Sequence, residues 1–93
     1  MIKSFKHKGL EKFYKTGNKA GIQPHHEKRL KAQLSKLDTA SGPDDMGLPG
    51  WKLHPLHDDL EGHYSVWVNG NWRLIFTFDD DGDAILVDYS DYH

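Results

Sequence analysis

The sequence predicts an α+β domain in which two N-terminal helices pack on one face of a curved, mainly antiparallel β-sheet. Three observations predict it. Apolar residues recur at helical spacing before residue 38, they alternate with polar residues after residue 50, and a glycine- and proline-rich stretch separates the two regimes. Helical patterns followed by a run of strands are the signature of segregated α+β layers.

Ile2 to Phe5 reads as a short strand. Leu10, Phe13 and Tyr14 then lie on one helical face, at i, i+3 and i+4, until Gly17-Asn18 stops the helix. Pro24 stands where the first turn of a second helix accepts it, and Leu30, Leu34 and Leu37 repeat at i, i+4 and i+7. Ala40 to Gly50 holds three glycines, two prolines and two aspartates, so it is read as a loop. Neither half has enough apolar surface for its own core, so residues 1–93 are expected to be a single domain.

Lys52-Leu53-His54 is a short strand candidate broken by Pro55. His63 to Val68 and Trp72 to Phe78 flank Asn69-Gly70, a pair that favours the positive φ angles of a tight hairpin. In the second of these strands Trp72, Leu74 and Phe76 share one face and Arg73 points to the other. Asp79 to Asp83 is a second turn, and Ala84 to Tyr89 is the last strand, with an apolar run from Ala84 to Val87.

The chain has no cysteine, which excludes disulfides, thiolate nucleophiles and cysteine zinc sites. Its apolar runs are too short for a signal peptide or a membrane span, so a cytoplasmic protein with no membrane association is expected. The formal charge of -2 conceals a segregation of sign. Residues 1–38 carry ten lysines and arginines against three acids, and residues 39–93 carry two against eleven. Such asymmetry points to a side that faces a polyanion, although lysine-rich outer faces of amphipathic helices produce the same pattern.

Three segments hold chemistry: Lys52-Leu53-His54-Pro55-Leu56, Asn71-Trp72-Arg73-Leu74-Ile75-Phe76 and the closing Asp91-Tyr92-His93. Together they supply two imidazoles, a guanidinium, a carboxylate and a phenol. RNA carries its own nucleophile, the 2'-hydroxyl. A metal-free ribonuclease therefore needs a base, an acid and positive charge for the transition state. Imidazole serves both proton roles because its pKa near 6.5 keeps both forms accessible at neutral pH.

In this order and near these distances from the end, the three segments resemble HigB-type toxins of the RelE superfamily, and Met1-Ile2-Lys3-Ser4-Phe5-Lys6-His7-Lys8-Gly9-Leu10 is similar to the family's opening. The resemblance implies the RelE-like microbial ribonuclease fold and a type II toxin that cleaves messenger RNA in the ribosomal A site and so inhibits translation. It implies no cofactor, and as partners the 70S ribosome with its messenger RNA and a cognate HigA-type helix-turn-helix antitoxin, through which alone operator DNA is met. Carried onto this sequence, it makes His54 and His93 the proton-transfer groups and Arg73 the phosphate clamp. Asp91 would orient or charge-stabilise an imidazole, and Tyr92 would stack on a base or donate to phosphate. Lys12, Lys15, Lys19, Lys28 and Lys31 are candidates for ribosome contact, with Lys52 and His57 as auxiliary phosphate ligands. Some relatives have a lysine and an arginine where this chain has His57 and Asn69, which leaves the strand half poor in cations.

Two other readings stay open at this stage. A catalytically weak member of the same fold could serve as an RNA- or antitoxin-binding co-repressor. His54, His57 and His63 could instead hold catalytic zinc, although their spacing fits no specific metal motif. The aspartates of 79–83 lack the ligand pattern of a calcium loop and read as a solvated hairpin tip. Trp51, Trp67 and Trp72 could stack on bases, with Trp72 assigned to the core by its phase.

Overall fold

The computed structural model describes residues 1–91. Its elements are α1 (Lys8–Thr16), α2 (Glu27–Thr39), β1 (His54–Pro55), β2 (Tyr64–Asn69), β3 (Trp72–Phe78) and β4 (Ala84–Asp91). The strands form an antiparallel meander in the order β1-β2-β3-β4, and the two helices precede them as the spacing predicts.

Helix α1 starts at His7, whose Nδ1 accepts the Leu10 backbone N–H at 2.9 Å and so satisfies one of the donors that a helix start leaves orphaned. It stops at Gly17, in the left-handed conformation at φ 81°. Pro24 opens a 3₁₀ turn, Pro24–His26, that runs directly into α2. Leu30, Leu34 and Leu37 of α2 are buried together with Leu10 and Phe13 of α1. They cover one sheet face, made by Val66, Val68, Leu74, Phe76, Ala84, Val87 and Tyr89. The loop after α2 is not merely a linker. Its 3₁₀ turn, Pro43–Met46, delivers Met46 into the core with no exposed surface.

Ile2 to Phe5 does not become a full strand. It makes two isolated parallel bridges to β4, Ile2 to Ala84 and Phe5 to Val87, because β4 is bulged between them. Leu86 takes φ 55°, donates its N–H to Ser4 Oγ at 2.9 Å and points outward. The extra residue resets the phase of β4, so that Ala84 and Val87 both face the core although an odd number of steps separates them. Among the described residues, no helix is long and apolar enough to cross a membrane.

Candidate active site

Directly opposed residues of an antiparallel pair share a face, so the register places the site. His54 lies opposite Ser65, Ser65 opposite Ile75, and Ile75 opposite Asp88. In the adjacent row Trp67 lies opposite Arg73 and Arg73 opposite Ser90. These rows occupy the sheet face that turns away from the helices. His54 and Arg73, distant in sequence, border one open cleft of about 610 Å³, with Lys52, His57, Asp58 and Ser65 also in its wall.

The two sides of the cleft are held by different means. Arg73 is anchored by its strand and by two bonds from Nη1, to the carbonyls of Gly70 and Trp72, each at 3.2 Å. Both acceptors are neutral, and among the described residues no carboxylate pairs with the guanidinium, so its charge is available to an anion. The opposite wall is a tight loop. Lys52 and Asp58 have φ of 52° and 57°, two of the three non-glycine residues of positive φ among the described residues. Such conformations cost about 1–3 kcal/mol each and tend to gather at functional sites. His54 and His57 are solvent-exposed, and His57 Nδ1 is 4.0 Å from Glu61 Oε2.

Asp91 ends β4 in register with Trp72, and it is one step out of phase with Arg73. Tyr92 and His93 lie outside the described residues. Of the five lysines considered for ribosome contact, all exposed, Lys15 pairs with Glu11 at 2.8 Å and Lys19 with Glu27 at 3.4 Å. Lys12, Lys28 and Lys31 form no ion pair with any described residue.

The three-histidine zinc arrangement is not assembled. Among the described residues, the set of three metal-capable side chains within reach of one ion is Asp79, Asp81 and Asp83, whose oxygens lie within 4.8 Å of one another. Their centre is taken by the Lys3 ammonium, at 3.2, 3.4 and 3.1 Å from the three carboxylates, with the Met1 amine 3.3 Å from Asp83. Those bonds hold Lys3 above the usual lysine range and Asp83 below the usual carboxylate range. Backbone bonding from Asp83, then the Lys3 ammonium, lowers Asp79 likewise.

Sequence reasoning missed a second histidine centre. His26 is 1% exposed, its Nδ1 lies 2.6 Å from the Tyr89 hydroxyl, and Trp72 stacks on Tyr89 with ring centres 4.5 Å apart. Burial, with a smaller contribution from His25, pushes the His26 pKa down. A signal for it was present: His26 precedes Leu30 by four residues and extends the buried face of α2 back by one turn.

The fold and the cleft together define a class: a small RelE-like α+β protein with two imidazoles and two cations on the open face of its sheet, the cations having no carboxylate partner among the described residues. The chain belongs to the HigB-like toxin family, RelE-like toxins of type II toxin-antitoxin systems, whose family model matches residues 3–93. It is 42% identical over 93 residues, the whole of both chains, to the endoribonuclease HigB of Proteus vulgaris. It is 35% identical over 95 aligned positions to toxin HigB-1 of Vibrio cholerae serotype O1, covering all of this chain and 98% of that one.

Proposed function

We propose that this protein is a ribosome-dependent endoribonuclease that cuts messenger RNA in the A site, inhibits translation and is neutralised by a co-encoded helix-turn-helix antitoxin. One observation carries the reading: His54, Arg73 and Lys52 border a single cleft in a chain that matches a curated endoribonuclease along its whole length. In the proposed mechanism one imidazole, of His54 or His93, takes the proton of the RNA 2'-hydroxyl. That oxygen attacks the adjacent phosphorus. The other imidazole protonates the departing 5' oxygen, and Arg73 stabilises the charge that builds on the phosphoryl oxygens. Asp91 and Tyr92 complete the proposed set, as an electrostatic support and a base or phosphate contact.

The chemistry predicts its own products. Cleavage is expected to survive EDTA, at ionic conditions that keep the ribosome assembled, and to leave a 2',3'-cyclic phosphate and a 5'-hydroxyl. End-group analysis of the cut message checks this, and a 3'-hydroxyl with a 5'-phosphate would overturn it. Lys12, Lys28 and Lys31 are proposed to face ribosomal RNA. Reversing their charges is expected to weaken ribosome binding and flatten its salt dependence, because fewer counterions are then released. An unchanged salt slope would reduce them to a solvated face.

A further inference from the structure

We propose that Arg29, Trp67 and Lys52 form a second phosphate subsite, which grips the backbone of the same RNA strand one phosphate away from the bond that is cut. The inference rests on the nuclease reading of the cleft and extends it beyond the cleft wall.

Trp67 stands opposite Arg73 in the sheet, so it continues the open face outward from the phosphate clamp. Its position is fixed from several sides. The indole Nε1 donates to the Gly70 carbonyl at 2.9 Å, the backbone N–H donates to the Trp51 carbonyl at 2.7 Å, and the backbone carbonyl accepts from Gln33 Nε2 of α2 at 2.9 Å. Onto this one ring come two cations, the Lys52 ammonium at 4.8 Å and the Arg29 guanidinium at 5.4 Å from its centre. Both distances fall inside the range of cation–π attraction. They also limit the separation of the two charges to at most about 10 Å.

Two like charges gathered on one ring repel unless a carboxylate stands between them. Among the described residues neither has one, and the third cation of the strip, Arg73, bonds only to backbone carbonyls. The indole offsets part of the repulsion and sets where each head group stands. Lys52 reaches it from a left-handed backbone, a conformation of the kind that gathers at functional sites. Arg73 and Lys52 border one cleft, and Lys52 and Arg29 share the Trp67 indole, so the three cations follow one another from the cleft across β2 to α2 with no carboxylate partner among the described residues. A single RNA strand carries charge at regular intervals and is the polyanion that the cleft already receives. A strand whose scissile phosphate meets Arg73 meets Lys52 and Arg29 with its next phosphate.

The bland alternative is that Arg29 pins α2 to the sheet and touches nothing else. A cycle between protein and substrate separates the two. Messages carrying a single neutral methylphosphonate at the first phosphate on either side of the cleaved bond are bound to ribosomes and cut by the wild-type protein, Arg29→Gln and Arg29→Lys. The readout is the toxin concentration that gives half-maximal single-turnover cleavage. At one of the two positions, neutralising the phosphate is expected to raise that concentration about tenfold for the wild-type protein, since a charge-assisted phosphate contact is worth at least about 1.4 kcal/mol. With Arg29→Gln the same change is expected to have almost no further effect, because the partner is already gone, and Arg29→Lys is expected to retain most of the coupling. Losses that simply multiply at both positions would overturn the subsite while leaving the nuclease reading intact. A folded wild-type protein that cuts no message on the ribosome would remove that reading, and the subsite with it.

Discussion

Trp72 and Arg73 are neighbours in the chain and belong to opposite sides of β3, and the two sides use the same residue types for opposite ends. On the inner side His26 is sealed at the start of α2, bonded to Tyr89 and surrounded by aromatic rings. On the outer side His54 is exposed in a cleft beside cations that have no described carboxylate partner. Imidazole chemistry is thus decided by where the strand pleat and the helices leave it. Burial disfavours the charged form of the sealed ring, which packs, whereas the exposed ring stands where a substrate can reach it.

The largest expected effect breaks this comparison at the outer side. His54→Ala is expected to lower single-turnover cleavage on pre-bound ribosomes by about 10²–10⁴-fold, the usual contribution of a positioned proton-transfer group. Thermal stability should barely change, because the side chain is exposed and no described bond holds it. Cleavage at the wild-type rate would remove His54 from the chemistry. A large fall in melting temperature would mean that the outer side, too, is structural.

The inner side is expected to respond in the reverse sense, and Gly21→Ala offers a sharp case. A Cβ at Gly21 would stand 2.5 Å from the Cα of Gly9 in the first turn of α1, and backbone cannot step aside as a flexible side chain can. Overpacking of this kind costs about 1–3 kcal/mol. The measurement is a urea melt. Cleavage by the fraction that remains folded should be close to normal, since the clash lies among the helices.

Much of the division between the two sides was legible in the sequence. Period-two alternation from Trp72 to Phe76 separates Arg73 from the core, and the Asn69-Gly70 pair marks the hairpin that brings Arg73 opposite Trp67. Leu30, Leu34 and Leu37 declare the buried face of α2 in the same way. Other features were illegible for physical reasons. The run Ala84 to Val87 has no alternation to read, and only the bulge at Leu86, stabilised by Ser4 from the far end of the chain, determines which members face inward. Met46 lies in a segment of loop composition, and its burial depends on the shape of a core that the loop itself closes. Arg29 follows the ordinary pattern of a helix surface, and its contact with Trp67 exists only once α2 lies against the sheet. The gathering of Lys52, His54 and Arg73 needed both the strand register and the family's motifs, because composition gives no preference among seven histidines.

The smallest expected effect tests whether the inner histidine is as sealed as its geometry implies. Burial first, and His25 second, hold the His26 pKa below its ordinary value, so between that depressed value and about 6.5 the unfolded chain binds a proton that the folded chain refuses. Stability therefore rises with pH across this window. The contribution of His26 is fully present above about pH 6.5 and is lost as the pH falls toward the folded-state value, at no more than about 1.4 kcal/mol per pH unit. His26→Gln keeps a polar partner for Tyr89 and removes the titration. At neutral pH it is expected to cost on the order of 1 kcal/mol, for one imperfectly replaced buried hydrogen bond. In urea melts at pH 7.5 and 5.5 the gap between the two proteins should narrow at the lower pH, since only the wild-type chain gains a proton at this position on unfolding there. A gap that stays constant would show that folded His26 takes up its proton as freely as an exposed imidazole, and the contrast between the two sides of β3 would then lie in packing alone.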